Sequence, residues 1–398
     1  MKTDTLITTA GRNPEANFGI VNPPVYHAST VLYPSLDALE AAQRHREPGK
    51  VYYGRSGTPT TFALEEAVAA LDGAYRAIAV GSGVAAVTAA ILAFVKAGDH
   101  VLMVDNVYGP TRKFCDTLLG RFGVETTYYD PLIGAAIAPL IRANTRVVFM
   151  ESPGSLTFEM QDVPAIAAAA KQAGAATIMD NTWATPFFFK PLAHGVDVAV
   201  QAATKYIGGH SDLMLGTISM QEPHYSRIRN SLNELGHHAA PDDCYLAQRG
   251  LRTLSVRMQR HQATGMALGR WLQRQPEVAC VYHPALPDDP GHALWRRDYS
   301  GASGLFSFEL DPVPRQALAA MVDGMKLMGM GYSWGGYESL LLPSNPAPTR
   351  SATPWKDHGP LLRVHAGLED PDDLIADLEA GFERLHEAAG KGRRVKVA

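Results

Sequence analysis

The stretch YRAIAVGSGVAAVTAAILAFVKAGDHVLMVD, residues 75–105, decides the fold class. It begins and ends with short apolar runs, at 75–80 and 100–105, and an Ala-rich run of helical composition lies between them at 84–95. Two short strands that flank a helix of this length are typical of a β-α-β unit, in which the two strands are parallel. The stretch therefore predicts an α/β fold.

The same alternation of strands and helices continues to about residue 220, and a different pattern follows it. Further strands are predicted at 124–129, 146–150, 176–180, 196–202 and 213–220, and further helices at 110–120 and 163–173. Residues 224–275 have a mainly helical pattern, and beyond residue 278 strands at 304–310 and 360–365 mix with helices. The sequence thus predicts a mostly parallel central sheet with helices on both faces, followed by a smaller α+β domain.

The first 60 residues differ from both of these parts. They are rich in Pro, Gly and Tyr and show little sustained periodicity, which predicts an extended arm with little core of its own. We therefore expect an arm over residues 1–60, an α/β domain over 61–255 and a C-terminal α+β domain over 256–398.

Composition excludes several classes of protein. Of 398 residues, 36 are basic and 40 acidic, which gives a net charge of −4, and 46% are apolar. This balance argues against disorder and against a nucleic-acid-binding surface. The longest apolar run, 84–95, falls short of the ~20 residues of a membrane-spanning helix. Three widely spaced cysteines without a CxxC pattern predict a reducing, cytoplasmic environment.

A glycine-rich turn, GSGVAA at 81–86, follows the first predicted strand and opens a helix. Small residues there let backbone N–H groups approach an anion at the positive end of the helix. The turn also fits the looser dinucleotide pattern G-x-G-x-x-A, and Asp105 stands 24 residues after Gly81, near the position of a ribose-binding acid. A nicotinamide-dependent dehydrogenase is therefore one interpretation. No GxxxxGK[ST] sequence occurs, which argues against a P-loop NTPase.

Two charged residues follow buried-looking strands. Lys205 lies in QAATKYIGGHSD (201–212) and Asp180 in IMDNTWA (178–184). Each has an ordinary alternative, a solvated surface lysine or a turn aspartate. However, ligands bind at the carboxyl ends of parallel strands, and a partly desolvated lysine is a Schiff-base nucleophile. With a phosphate site at 81–84, the pair supplies the parts that a pyridoxal phosphate enzyme needs. Hydride transfer requires neither residue.

Arg363 lies in the apolar strand PLLRVH (360–365). A guanidinium group in such a strand is costly unless it is paired. A bidentate substrate carboxylate and an internal salt bridge are both possible partners. The histidines show no HExxH or similar spacing, so no metal site is predicted.

These segments resemble the Cys/Met-metabolism family of pyridoxal phosphate enzymes. The likeness runs from about residue 5 to residue 388, and YYGRSGTPT (52–60) carries it together with the lysine and aspartate segments. Three further segments resemble the cystathionine β-lyase branch: ESPGSLTFEMQDVPAI (151–166), HPALPDDPGHALWRRDYSGASGLFSF (283–308) and YSWGGYESLLLP (332–343). The resemblance implies an aspartate-aminotransferase-type fold, a homotetramer built from two tight dimers, and a small amino-acid substrate.

The resemblance also implies cofactor-binding residues. Lys205 matches the lysine that binds pyridoxal phosphate covalently, Asp180 the partner of its ring nitrogen, and Tyr108 the aromatic residue that stacks on the ring. The backbone N–H groups of Gly83 and Val84 match those that bind the cofactor's phosphate. Further cofactor ligands are the Thr204 hydroxyl and, from the neighbouring subunit through its arm, Tyr53 and Arg55.

The same likeness implies the reaction and the substrate site. Arg363 matches the residue that binds the substrate carboxylate, with Tyr332, Ser333 and Trp334 beside it. Lys205, aided by Tyr108, transfers protons in a carbon–sulfur β-elimination that cleaves L-cystathionine in methionine biosynthesis. Cystathionine γ-synthase and γ-lyase commonly carry Glu and Leu at the positions of Tyr332 and Trp334, so β-chemistry is favoured. A γ-enzyme, or a cysteine-S-conjugate β-lyase with a regulatory protein-binding role, remains the alternative.

Three positions depart from the common family pattern. Ala202 stands where many relatives have a phosphate-binding Ser, and Ser155 where many have an Asn near the cofactor's phenolic oxygen. Asn233 aligns with a lyase Tyr near the distal end of the substrate. The last departure leaves the preferred substrate open rather than the reaction.

Overall fold

The central sheet contains seven strands in the part of the chain that the structure, a computed structural model, describes (residues 1–45, 47–356 and 358–390). These strands are β1 (Arg76–Val80), β2 (His100–Val104), β3 (Glu125–Tyr129), β4 (Thr145–Glu151), β5 (Ala176–Asp180), β6 (Val198–Ala202) and β7 (Gly216–Met220). Their order is β1-β7-β6-β5-β4-β2-β3; β2 to β6 are parallel, and β7 is antiparallel to both neighbours. The predicted mostly parallel sheet is confirmed, although the sequence pattern did not identify the reversed strand.

Helices pack against this sheet and continue beyond it. They are α1 (Thr3–Thr9), α2 (Leu36–Arg44), α3 (Pro59–Asp72), α4 (Gly83–Leu92), α5 (Gly109–Phe114), α6 (Val163–Gln172), α7 (Thr185–Phe188), α8 (Glu222–Glu234), α9 (Pro241–Leu251) and α10 (Leu254–Leu272). The helix predicted at 110–120 is instead α5 followed by a π-helical turn at Cys115–Leu119. Helix α4 follows β1 directly and packs on β6 and β7. No helix among the described residues is long and apolar enough to cross a membrane.

The C-terminal part contains a second sheet with its own core. Its strands are β8 (Val278–Tyr282), β9 (Leu305–Leu310), β10 (Leu340–Ser344) and β11 (Leu361–His365), and its helices are α11 (His292–Asp298), α12 (Arg315–Asp323) and α13 (Pro371–Ala388). The strands are antiparallel in the order β10-β11-β9-β8. Side chains from β9, β11, α12 and α13 form an apolar cluster separate from the core of the central sheet. Residues 391–398 of the predicted C-terminal domain lie outside the described residues.

The sequence predicted an extended N-terminal arm, whereas part of this stretch is helical. It contains α1 and α2, and α1 contacts α3 and α10. Helix α1 buries Ile7, and the Arg252 guanidinium donates to its carbonyl over 2.7 Å and to that of Ala10 over 2.8 Å. One buried apolar side chain and two long-range hydrogen bonds hold a seven-residue helix that shows no periodic pattern of its own.

Asp105, just beyond β2, holds a distant loop onto the central sheet. Its buried carboxylate accepts hydrogen bonds from the backbone N–H groups of Ser351, Ala352 and Thr353 and from Arg112. Burial alone would raise the pKa of this carboxyl group, but these donors together hold it below its ordinary value. The carboxylate is therefore charged at neutral pH and satisfied by the chain itself.

We expect Asp105→Ala to lower the free energy of unfolding by about 3–5 kcal/mol, because it removes the buried carboxylate that neutralises Arg112 and leaves several N–H groups without their acceptor. The control is Asp116→Ala, because Asp116 also faces Arg112, at 3.7 Å, but its side chain is half-exposed. That change also removes the exposed acceptor of the Tyr128 hydroxyl, and it should cost about 1 kcal/mol. Urea unfolding measures both values, and equal losses in the two variants would contradict this account.

Candidate active site

A pocket opens where β4, β5 and β6 end. Its volume is about 960 Å³, including the solvent at its mouth, and Asp180, Lys205, Tyr108 and Arg363 all line it. The sequence placed the first two at strand ends, and the structure brings them to one pocket. The remaining predicted residues at this pocket are Gly83, Val84, Thr204, Trp334, Ser155 and Ala202.

One wall of the pocket is the N-terminus of α4. Ser82 caps this helix, since its Oγ accepts the N–H of Ala85 over 3.1 Å. The first N–H groups of a helix have no partner within it, so those of Gly83 and Val84 remain available to an anion. A Cβ on Gly83 would lie 2.5 Å from the Cβ of Ala202, so only glycine permits this close packing of α4 on β6.

Asp180 ends β5, where Thr182 supports one of its two carboxylate oxygens. Its Oδ1 accepts the N–H of Thr182 over 2.9 Å and the Thr182 hydroxyl over 2.5 Å. Among the described residues, no group donates to Oδ2. Burial raises the pKa of Asp180, and the hydrogen bonds of Thr182 and the nearby Lys205 act in the opposite direction.

Lys205 follows β6, and its amine lies against the turn formed by residues 332–336. Its Nζ donates to the Ser333 hydroxyl over 2.6 Å and lies 5.2 Å from the centre of the Trp334 ring. Burial, and then the positive charge of Arg363, lower the pKa of this amine to about 8, while Asp180 opposes the shift. A larger fraction is therefore unprotonated near neutral pH than for an ordinary lysine, whose pKa is ~10.4.

Arg363, at the middle of β11, contacts the same turn. One of its guanidinium nitrogens, Nη2, donates to the carbonyl of Ser333 over 2.9 Å. Burial lowers the pKa of Arg363, and no salt bridge to it is found among the described residues. The internal carboxylate partner left open by the sequence is thus not found in the described part of the chain, and Arg363 lines the pocket.

Glu151 is a pocket residue that the sequence analysis missed. It ends β4 directly beside Asp180 of β5 and accepts the backbone N–H of Tyr108 over 2.8 Å. Burial and the neighbouring Asp180 raise the pKa of Glu151 well above its ordinary value. Its position just after a predicted buried strand was the available signal, the same one that identified Asp180. Thr182 was missed as well, although it lies within the quoted aspartate segment.

Other predicted residues lie elsewhere. Tyr332 is 90% exposed, and neither it nor Tyr53 lines the pocket. Arg55 donates to the carbonyl of Asn233, which is on α8 away from the pocket, over 3.1 Å. The Thr204 hydroxyl lines the pocket but exchanges hydrogen bonds with the backbone of Leu215.

Asp105 does not serve as a ribose ligand. It is fully buried against residues 351–353, as described above, and does not line the pocket. The acid that supported the dehydrogenase interpretation therefore has a structural role. A lysine, an aspartate at the neighbouring strand end and an open helix N-terminus define instead the arrangement of a pyridoxal phosphate enzyme.

Comparison with known proteins agrees with this class. The family described as "Cys/Met metabolism PLP-dependent enzyme" matches residues 4–383. The chain therefore belongs to this family.

Three similar proteins illustrate its range. Cystathionine beta-lyase of Escherichia coli K12 is 44% identical over 390 residues, 96% of this chain and 99% of that protein. L-alanine/L-glutamate racemase of Wolbachia pipientis wMel is 43% identical over 396 residues, 97% and 98% of the two chains. The crystal structure of cystathionine gamma synthase from Xanthomonas oryzae pv. oryzae superposes with a TM-score of 0.89 at 30% identity, covering 98% and 99%.

The residues at the pocket fit pyridoxal 5'-phosphate, the cofactor of this family. The helix N-terminus suits its phosphate, and the free Oδ2 of Asp180 suits a protonated ring nitrogen. The amine of Lys205, with its lowered pKa, suits an aldehyde. All three groups line one pocket.

We expect Lys205→Ala to abolish the visible absorption of covalently bound cofactor, because the only change is loss of the amine that reacts with its aldehyde. Lys171→Ala, which removes an exposed lysine on α6, is the control and should leave the spectrum unchanged. Borohydride reduction followed by peptide mapping locates the modified lysine. Pyridoxyl label on any other lysine would refute the assignment.

Proposed function

We propose that this chain is a pyridoxal phosphate-dependent carbon–sulfur β-lyase that cleaves L-cystathionine to homocysteine, pyruvate and ammonia. The similarity to cystathionine beta-lyases supports the substrate. The observation that carries the proposal is the Ser333 turn. Its hydroxyl holds the Lys205 amine and its carbonyl holds Arg363, so a base and a carboxylate-binding group stand side by side.

Arg363 would bind the α-carboxylate of the substrate. Its planar guanidinium offers two parallel donors, which fix the orientation as well as the position of a carboxylate. Trp334 lies beside Lys205 and lines the same pocket. A substrate held in this way presents its Cα–H toward the Lys205 amine, and a fixed orientation of that bond is a large part of the rate enhancement.

Lys205 would move the protons. When bound, pyridoxal phosphate accepts electrons from the substrate Cα and so acidifies its Cα–H. The Lys205 amine, with a pKa of about 8, removes this proton and gives it to the thiolate that leaves Cβ, with Tyr108 aiding the transfer. The three-carbon fragment then reacts with one water molecule to give pyruvate and ammonia, and the protonated thiolate leaves as homocysteine.

The other predicted ligands would hold the cofactor. Asp180 stabilises the protonated ring nitrogen, Tyr108 stacks on the ring, and the N–H groups of Gly83 and Val84 bind the phosphate. In the present geometry the Thr204 hydroxyl donates to Leu215. Since a hydroxyl has one proton to donate, Thr204 would have to break this bond to donate to the phosphate, which places more weight on the N–H groups of α4.

Racemisation is a second candidate function, because one relative of almost equal identity is named as an alanine and glutamate racemase. Both reactions begin with removal of the Cα proton. They differ in whether the proton returns to Cα or a thiolate leaves Cβ, and alanine carries no leaving group. The γ-enzymes remain a less supported alternative, since Tyr332 and Trp334 replace their common Glu and Leu.

We expect purified protein to release pyruvate from L-cystathionine more efficiently than from cystine or alkyl-cysteines. Pyruvate coupled to lactate dehydrogenase measures the rate, and circular dichroism of L-alanine measures racemisation in parallel. The control is Lys205→Ala, which should lose both activities. Faster racemisation of L-alanine than pyruvate release from every substrate would overturn the proposal in favour of a racemase.

We further propose that the active site is shared between two copies of the chain within a homotetramer. Tyr53 and Arg55 lie outside the pocket of their own chain. The arm also exposes large apolar side chains, among them Phe18 at 99% and Leu32 at 88%, and such side chains favour a protein interface. A neighbouring subunit packed against this arm would receive the arm residues at its cofactor phosphate.

We expect subunits carrying Arg55→Ala to complement subunits carrying Lys205→Ala. Each variant alone should be nearly inactive, while hybrids regain one working site from an intact Lys205 and an intact Arg55. Mixing after dissociation, with native mass spectrometry to count hybrids, checks this. The matched control pairs Lys205→Ala with Asp180→Asn. Both residues line the pocket of their own chain, so each site of that hybrid keeps one defect and no activity should return. Confirmed hybrids without recovered activity would contradict the shared site.

We also propose a cytoplasmic location and the division into an arm (1–60), a cofactor-binding domain (61–255) and a C-terminal domain (256–398). The three cysteines are free in the structure, which is consistent with a reducing compartment. The separate apolar cluster around β9, β11 and α13 supports an independent C-terminal unit.

A further inference from the structure

His365 lies beneath the turn that contacts Lys205. It ends β11, two residues after Arg363, so the two side chains share one face of the strand. Leu362 and Val364 face the other way, into the C-terminal apolar cluster. The strand therefore presents two polar side chains in succession to the turn at 332–336.

One ring nitrogen of His365 contacts the turn. Its Nε2 lies 3.1 Å from the backbone nitrogen of Gly335 and 3.1 Å from the carbonyl oxygen of Gly336. In one tautomer it accepts the N–H of Gly335, and in the other it donates to Gly336, so either form bonds to the turn. The ring is 1% exposed and packs on Tyr206 and His261, with centroids 5.8 and 5.2 Å away.

The turn has an unusual backbone that needs such anchors. Ser333 has φ +78° and Gly335 has φ +87°. A serine in this left-handed region is strained and persists only when the surroundings hold it. A Cβ on Gly335 would lie 2.8 Å from the carbonyl carbon of Lys205, so the turn lies directly against the backbone of that lysine.

We propose that His365 is a positioning residue that fixes the Lys205 amine by holding the turn which presents Ser333. Arg363 holds the Ser333 carbonyl, His365 holds Gly335 or Gly336 according to its tautomer, and the Ser333 hydroxyl then has a defined direction toward Nζ. The inference rests on the proposed function, because it concerns the base of that reaction. It adds a residue that touches neither cofactor nor substrate, since His365 does not line the pocket.

The charge state of His365 agrees with this role. Burial, and then the neighbouring His261, lower its pKa to about 3, with Arg363 and Lys205 acting in the same direction. Those are the charged or titratable groups that face the ring, together with Tyr206. The imidazole is therefore neutral over the whole working range of pH, and its contact with the turn does not change as the medium is titrated.

A matched pair of variants separates positioning from packing. His365→Gln and His365→Met have similar size, and both lose the ring, but only glutamine keeps a polar group that reaches the position of Nε2. We expect the methionine variant to lose roughly tenfold in kcat with little change in KM, the scale of one lost hydrogen bond. The glutamine variant should stay within about threefold of the wild type.

A second measurement reads the amine without turnover. The visible absorption of the bound cofactor is titrated with pH in the holoenzyme. In the methionine variant the midpoint should fall by about half a unit or more, because the Ser333 hydroxyl is no longer fixed as the acceptor for the proton on the lysine nitrogen. The glutamine variant should retain the wild-type midpoint. If both variants keep that midpoint, or lose activity equally, His365 is only a packing residue and the inference is wrong.

A double-mutant cycle tests whether the effect passes through Ser333. Ser333→Ala removes only the hydroxyl, so combining it with His365→Met should cost little more than the larger single change. Additive losses would overturn the proposed route. If the wild type releases no pyruvate from any substrate, the proposed function fails, yet the absorption titration still decides the role of His365.

Discussion

A half-buried amine and a half-buried carboxylate near neighbouring strand ends are the constraint on which the rest of the structure depends. Burial favours the neutral form of both, raising the pKa of Asp180 and lowering that of Lys205, while each charge partly offsets the shift of the other. The parallel pairing of β5 with β6 brings the two strand ends together. Thr182 then holds Asp180 from one side, and the Ser333 turn holds Lys205 from the other.

The sequence could predict the parts of this arrangement that arise from local pattern. The alternation of strands and helices identified the sheet, and Asp180, Lys205 and the start of α4 were found because strand ends and helix starts meet in parallel sheets. Asp105 was open to misinterpretation because its partners lie 246 to 248 residues later in the chain. Its spacing from Gly81 matched a ribose-binding acid, while the structure uses its charge to hold a loop. Such long-range pairing leaves no local signal.

His365 and Glu151 were missed for a related reason. A polar residue in an apolar strand indicates a buried hydrogen bond, but the sequence does not show its partner. Arg363 attracted attention because a guanidinium is always charged, whereas a histidine or glutamate is readily buried neutral. Burial favours the neutral form of both side chains, because it lowers the pKa of His365 and raises that of Glu151. The strand-end pattern thus indicates residues that line the pocket, whereas the role of His365 beneath the turn follows only from its three-dimensional contacts.

Ser333 joins the two sheets beside the pocket. Its hydroxyl accepts from Lys205, which follows β6 of the central sheet, and its carbonyl accepts from Arg363 on β11 of the C-terminal sheet. A carboxylate bound by Arg363 would use the guanidinium donors that the Ser333 carbonyl does not occupy. The turn therefore holds the Lys205 amine and the Arg363 guanidinium through one residue, and the left-handed backbone of Ser333 is the geometry that lets its two oxygens serve both sheets.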